Sequence, residues 1–330
     1  MKITDIIKKA VDGGEINDAE LRELFMVDYL SEEAFLIAQA GRHMSEVASK
    51  GKAEVHAQVG VNSGSCGCDC EFCSFASIHG IFKEPQAKTT DEVIEGILEF
   101  EQSGANAVYM LTTAKYDFGD FIKLGTAVKS SLSSDIPLFA NIGDFDDIQA
   151  AQLKAAGFTG IYHAIRLGEG VHTRINPKMR WRTVEAAHNA GLVIGTCLEP
   201  VGPEHSVDEL VEKTMFTRKM NPAYSGAGRR VPIAGTAMAE HGLLSFGKMA
   251  LIVAAVRLAM GYGVVGNCTH EPNGIGAMVG TNIMWAECGS NPRDTEANTV
   301  RGLTVDDTFE FMTEAGWKRL QGASAMYVPR

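Results

Sequence analysis

The chain has little cysteine outside one loop, no excess of basic charge and no long apolar run. Four of its seven cysteines fall between Cys66 and Cys73, which excludes a disulfide framework spread along the sequence. There is no second C-x2-C unit to pair with Cys70/Cys73, as a structural zinc knuckle usually has. A formal net charge of -11 leaves no basic surface for non-specific nucleic-acid binding. No stretch reaches the ~18 uninterrupted apolar residues of a membrane span; the run from Met249 to Met260 is short and broken by Arg257. The N-terminal residues lack an apolar signal core, and neither a linker nor a low-complexity segment divides the chain. These absences predict a soluble protein of the cytoplasm, where thiols stay reduced, with no membrane or nucleic-acid partner. A hydrophobic fraction of 45% against 22% charged residues supports a substantial core.

What is present centres on the loop Cys66-Gly-Cys68-Asp-Cys70-Glu-Phe72-Cys73. Within it Cys66, Cys70 and Cys73 form C-x3-C-x2-C. Three thiolates so close in sequence can each bind one iron of a four-iron cluster, leaving the fourth iron without a protein ligand. An iron left open can chelate a small molecule, which separates a catalytic cluster from one that only carries electrons.

Residues 1–50 predict helices, with Asn17 and Ser31 as N-caps before acidic first turns. A strand-then-helix rhythm follows. Short apolar runs at 54–61, 107–111, 136–142, 160–165, 192–198, 230–233, 264–269 and 282–286 predict eight strands, several preceded by helices near 90–103, 120–131, 146–156 and 181–190. Repeated βα units imply a parallel sheet, and eight can close into a barrel, although a doubly wound open sheet has the same rhythm. The expected fold is α/β: a (βα)8 TIM-type barrel over 51–330 with an N-terminal helical extension, 1–50.

Function in such a barrel collects at the C-terminal strand ends. Cys68, Cys197, Cys268 and Cys288 all fall near those ends, and as a set they suggest a second iron–sulfur cluster; singly, each reads as a buried small hydrophobe. His163, Arg166 and Gly168-Glu169-Gly170 follow the fourth strand, and a carboxylate between glycines could accept both hydroxyls of a ribose. Arg180 could pair with a carboxylate. Glu199 lies in a proline-bracketed loop whose backbone could face adenine. Asn141, Arg229, Arg230, His270 and Asn273 are candidates for the substrate, the arginines for an anionic tail.

Over about residues 50–320 the chain resembles the biotin synthase branch of the radical S-adenosylmethionine (SAM) superfamily. The resemblance is carried by Cys66/Cys70/Cys73 with aromatic Phe72, by Ala190-Gly191, by Gly235-Thr236 and by Asn282. It implies a full (βα)8 barrel and a [4Fe–4S] cluster whose open iron holds SAM, with reductive cleavage to a 5′-deoxyadenosyl radical. Arg180 falls where the family has an arginine for the SAM carboxylate, and Phe72, His163, Glu169 and Glu199 become the other cofactor-binding candidates. A small-molecule substrate and an electron donor of flavodoxin or ferredoxin type are further implications, and a homodimer is compatible with them. The activity implied is sulfur insertion at unactivated carbon, first of all dethiobiotin to biotin, with an auxiliary cluster as sulfur source. An archaeal-type lipoyl synthase, or a mutase or lyase with the SAM cluster alone, is the alternative; an iron–sulfur carrier without catalysis is a third. The family's two-iron cage uses cysteines on strands two and three, where this chain has Tyr109 and Phe139 or Asn141, and an arginine on strand seven near His270. That cage cannot be built here. A differently placed four-iron auxiliary cluster on Cys68, Cys197, Cys268 and Cys288, suited to an anaerobe, is expected in its stead.

Overall fold

Three helices precede the first strand in the computed structural model, which describes residues 2–327; Met1 and 328–330, the outer ends of the two expected segments, lie outside the described residues. They are α1 (Ile3–Val11), α2 (Asp18–Met26) and α3 (Glu32–Ser49). Asn17 accepts a bond from the Glu20 N–H, and Glu20 returns one to the Asn17 N–H. Ser31 caps α3 in the same manner, accepting from the Ala34 N–H.

Eight parallel strands then close on themselves: β1 (Lys52–Gly60), β2 (Ala107–Leu111), β3 (Leu138–Asn141), β4 (Gly160–Tyr162), β5 (Val193–Gly195), β6 (Tyr224–Arg229), β7 (Gly266–Cys268) and β8 (Ile283–Gly289). Each pairs with the next, and β8 returns to β1 over a register running from Glu54↔Ile283 to Gly60↔Gly289. The outer layer holds α4 (Thr90–Gln102), α5 (Phe118–Ser131), α6 (Asp147–Ala155), α7 (Pro177–Asn189), α8 (Val207–Lys219), α9 (Phe246–Met260), α10 (Gly274–Met278) and α11 (Val305–Glu314). This is the expected barrel, and closure excludes the open sheet.

Strand alternation sorts side chains into two cores. Val55, Val59, Val108 and Met110 face outward to the helices, whereas Tyr109, Phe139, Tyr224 and Trp285 fill the barrel. The N-terminal helices share a further core with α8 and α9: Ile6, Leu21, Leu24, Phe25, Ile37 and Met44 pack with Leu251, Ile252 and Val256. That packing explains the Met249–Met260 run, because α9 is buried all round. Each such side chain contributes about 1.5–3 kcal/mol. Arg257 is tolerated there because its guanidinium donates to the Val264 and Gly261 carbonyls. No helix among the described residues is long and apolar enough to cross a membrane.

The N-terminal end of the barrel is filled by a network of bonded side chains. His56 bridges the Glu54 carboxylate at 3.0 Å and the Tyr109 hydroxyl at 3.1 Å. Tyr109 in turn meets Tyr327 at 2.7 Å and Tyr224 at 3.2 Å, and Glu54 also accepts from Ser324.

Two strand expectations need correction. The sixth strand is Tyr224–Arg229, not 230–233. Pro232 cannot donate to a ladder, while Ser225-Gly-Ala-Gly228 is too small to read as an apolar run. Its smallness is required, since Gly226 sits at φ 141° and a Cβ there would overlap the Cys268 backbone. The eighth strand runs on to Gly289, so Cys288 lies within it and not after it.

Candidate active site

The C-terminal mouth of the barrel opens into a cleft with about 1270 Å³ of empty space, open to solvent. Cys66, Cys68, Phe72, Cys70 and Cys73 all face it. Their loop is held by its own backbone: the Cys66 N–H donates to Phe75 O at 2.7 Å, and the Cys73 N–H to Cys70 O at 3.0 Å. Asp69, at φ 44°, is buried under the loop, accepting from the Ser77 hydroxyl and the Ile78 N–H and pairing with Arg174 at 2.7 Å. Those donors, Ser77 foremost, hold its carboxyl below the usual range. Sequence reading missed Asp69, although an aspartate between two cysteines was visible.

The three thiols differ in electrostatics. A bond from the Cys68 thiol brings Cys66 down to about 6, while burial pushes Cys70 up to about 11 and Cys73 to about 12. Buried thiols of this kind ionise when a metal supplies the missing positive charge.

Arg180, on α7, lines the cleft and donates to Ala164 O at 2.9 Å, with Asp144 3.4 Å from it. Its Nε has no hydrogen-bond partner. Glu169 and His163 serve this arginine instead of facing the cleft. The Glu169 carboxylate accepts from the Arg166 N–H and the Thr173 hydroxyl and lies 3.6 Å from Arg180 Nε. It is buried and is not among the residues that line the cleft. His163 is buried against the Arg180 carbonyl, 3.1 Å away. Burial, with the charges of Arg180 and Arg166, holds it neutral, well below the usual imidazole range. Both positions look functional in sequence because they lie at and just after a strand end, Glu169 between two glycines; the neighbouring arginines absorb them.

The opposite wall carries Tyr162, Glu199 and His270. The Tyr162 hydroxyl donates to Glu199 Oε2 at 2.7 Å and lies 3.0 Å from His270 Nε2. Tyr162 escaped sequence reading, one residue before His163 in the same run. Arg229, Arg230 and Arg293 close the cleft, paired with Glu271, Glu204 and Glu287 at 2.5, 2.6 and 2.6 Å. Arg230 is 2% exposed, and its Nη1 has no partner. Asn141 lines the wall and donates to Gln58 at 3.2 Å. Asn273 does not reach the cleft: it caps α10, accepting from the Gly276 N–H.

The four further cysteines do not assemble. Cys288 turns outward, its register partner being Val59, and a Cβ on Gly96 of α4 would meet its sulfur at 3.3 Å. Cys68 bonds Cys66 within the loop. Cys197 and Cys268 meet inside the barrel, Sγ to Sγ 2.9 Å. A four-cysteine auxiliary cluster is therefore overturned by strand parity: Cys288 sits one residue out of phase with the inward positions.

Against known proteins, no family model matches the chain. It is 23% identical over 254 residues to the biotin synthase of Clostridioides difficile (strain 630), covering 73% of this chain and 77% of that one. The biotin synthase of Carboxydothermus hydrogenoformans is 22% identical, with 74% and 77% covered. Among solved structures, the [FeFe]-hydrogenase maturase HydG superposes at TM-score 0.81 with 14% identity, covering 98% of this chain and 77% of that chain. Methylornithine synthase (PylB) superposes at 0.77 with 14% identity, covering 96% and 97%. The chain is thus similar in sequence to biotin synthases and shares its barrel fold with HydG and PylB. The resemblance to the radical SAM superfamily implies a [4Fe–4S] cluster and SAM, and the residues fit them. Three thiols lining one cleft suit the cluster, and the guanidinium of Arg180 on the same cleft suits an anionic group of the cofactor.

Proposed function

We propose that the enzyme removes a hydrogen atom from an unactivated carbon of a small carboxylate-bearing substrate held in the cleft. The observation that carries this reading is that Cys66, Cys70 and Cys73 line the same cleft as Arg230. Bound to those thiolates, the cluster with SAM supplies a 5′-deoxyadenosyl radical on one-electron reduction, for which a flavodoxin- or ferredoxin-type donor is suited. Arg180 pairs with the carboxylate of SAM, and Phe72 and Glu199 flank the cofactor. Arg230, fixed by two bonds to Glu204, presents its remaining N–H groups to the substrate's carboxylate. Arg229 and Arg293, saturated by Glu271 and Glu287, shape the wall and keep its charge balanced. Tyr162 and His270 stand opposite with a proton between them.

The second reading is sulfur insertion, as in biotin synthase. It is favoured by Cys197 and Cys268 beneath the cleft, placed on the strand-five and strand-seven side of the barrel. Anaerobically reconstituted protein, given SAM, reductant and dethiobiotin deuterated at its reacting carbons, separates the two. Deuterium in 5′-deoxyadenosine with biotin formed supports sulfur insertion. Deuterium transfer from other short carboxylates, with no sulfur in the product, supports abstraction alone. No transfer from any carboxylate contradicts both.

A further inference from the structure

Cys197, Cys268 and His270 lie beyond the SAM loop, and none of them is used by it. Cys197 and Cys268 are 1% and 0% exposed. Inward positions alternate along both segments: Cys197 and Glu199 after β5, Cys268 and His270 from β7 onward. The result is two layers, sulfurs below and Glu199 with His270 above. Between them runs β6, whose Gly226 is the register partner of Cys268. With no side chain at 226, the sulfurs meet across the strand at 2.9 Å. The two sulfurs and a ring nitrogen of His270 all lie within 4.8 Å of one another.

We infer that these three residues form a second metal site, a mononuclear Cys2His centre for a borderline-soft divalent cation, zinc or ferrous iron. Two thiolates and a neutral imidazole are the donor set such ions select, and three protein ligands leave one position of a tetrahedron open. Two thiolates with one divalent ion also make a neutral unit, which lowers the cost of burying charge. A cluster fits less well. Its protein ligands bind different irons and stand apart, whereas these donors converge on one point, and neither Cys68 nor Cys288 is placed to complete it. The open position lies on the cleft side, because His270 and its neighbours Tyr162 and Glu199 line the cleft while both sulfurs are sealed beneath. Water or a heteroatom of the substrate would occupy it. The inference rests on the donor geometry and goes beyond the proposed function.

Cobalt(II) titration of the full chain tests it, using a Cys66/Cys70/Cys73→Ser variant to silence the SAM loop. The expected result is one equivalent bound per chain, with thiolate charge-transfer bands and the ligand-field bands of tetrahedral cobalt. A further Cys197→Ser exchange should weaken binding at least about tenfold, and His270→Asn should alter the ligand-field bands. X-ray absorption at the zinc edge of the unaltered chain, its loop first filled by anaerobic cluster reconstitution and one equivalent of zinc then added, should give two sulfurs and at least one nitrogen, a result independent of whether any variant folds. Cobalt bands equally intense after Cys197→Ser, a Cys197–Cys268 disulfide on thiol counting, or a two-iron Mössbauer signature at these residues would overturn the assignment.

Discussion

The two ends of the barrel interior are built on opposite plans. At the N-terminal end Glu54, His56, Tyr109, Tyr224, Ser324 and Tyr327 bond one another in a closed network packed with Phe139 and Trp285. At the C-terminal mouth Arg230 Nη1 and Thr112 Oγ1 are buried without a hydrogen-bond partner, and Arg180 Nε has only the Glu169 carboxylate 3.6 Å away. A closed network rigidifies and leaves nothing for a ligand, whereas an orphaned buried donor costs about 1–3 kcal/mol that a ligand can recover. The floor fixes the barrel and the mouth does the chemistry.

Breaking the mouth should have the largest effect. Replacing Cys66, Cys70 or Cys73 by Ala removes one of three cluster ligands with none spare. Iron bound at the loop should fall from about four per chain to near zero on anaerobic reconstitution, while the denaturation midpoint moves little. The floor should show the reverse pattern. Tyr327→Ala opens a cavity and removes the shortest of the Tyr109 hydroxyl's bonds, and should cost about 3–5 kcal/mol in urea denaturation, with loop iron retained on reconstitution at low temperature.

Arg230→Met should raise the substrate KM by roughly 10- to 100-fold, a charge-assisted hydrogen bond being worth about 1.5–3 kcal/mol. If the substrate carboxylate lies elsewhere, KM will stay and only stability, through the widowed Glu204, will fall. Smallest of all, Asn273→Ala should cost about 1 kcal/mol as a lost helix cap and leave SAM binding unchanged in calorimetry. A fall in SAM affinity would move α10 into the mouth.

The same contrast explains what could be read in advance. The βα rhythm through β1 to β5 is legible because those strands carry apolar runs, and the loop cysteines are legible because their spacing is itself chemical. β6 is not, since Ser225-Gly-Ala-Gly228 is selected for close backbone approach and not for hydrophobicity. Nor does sequence tell which face Cys288 takes: one residue of uncertainty in a strand end inverts the answer. Glu169 and His163 have the right chemistry for a cofactor, yet only the fold shows that Arg166 and Arg180 already occupy them.

The central claim is that the mouth, through Cys66, Cys70 and Cys73, turns SAM into a radical source. It is tested most directly by 5′-deoxyadenosine release from the anaerobically reconstituted chain with SAM and dithionite, measured beside Cys70→Ala. The account predicts product from the native protein and none above background from the variant. A native protein holding its loop iron and yielding no 5′-deoxyadenosine, or a Cys70→Ala protein yielding as much as native, would contradict it.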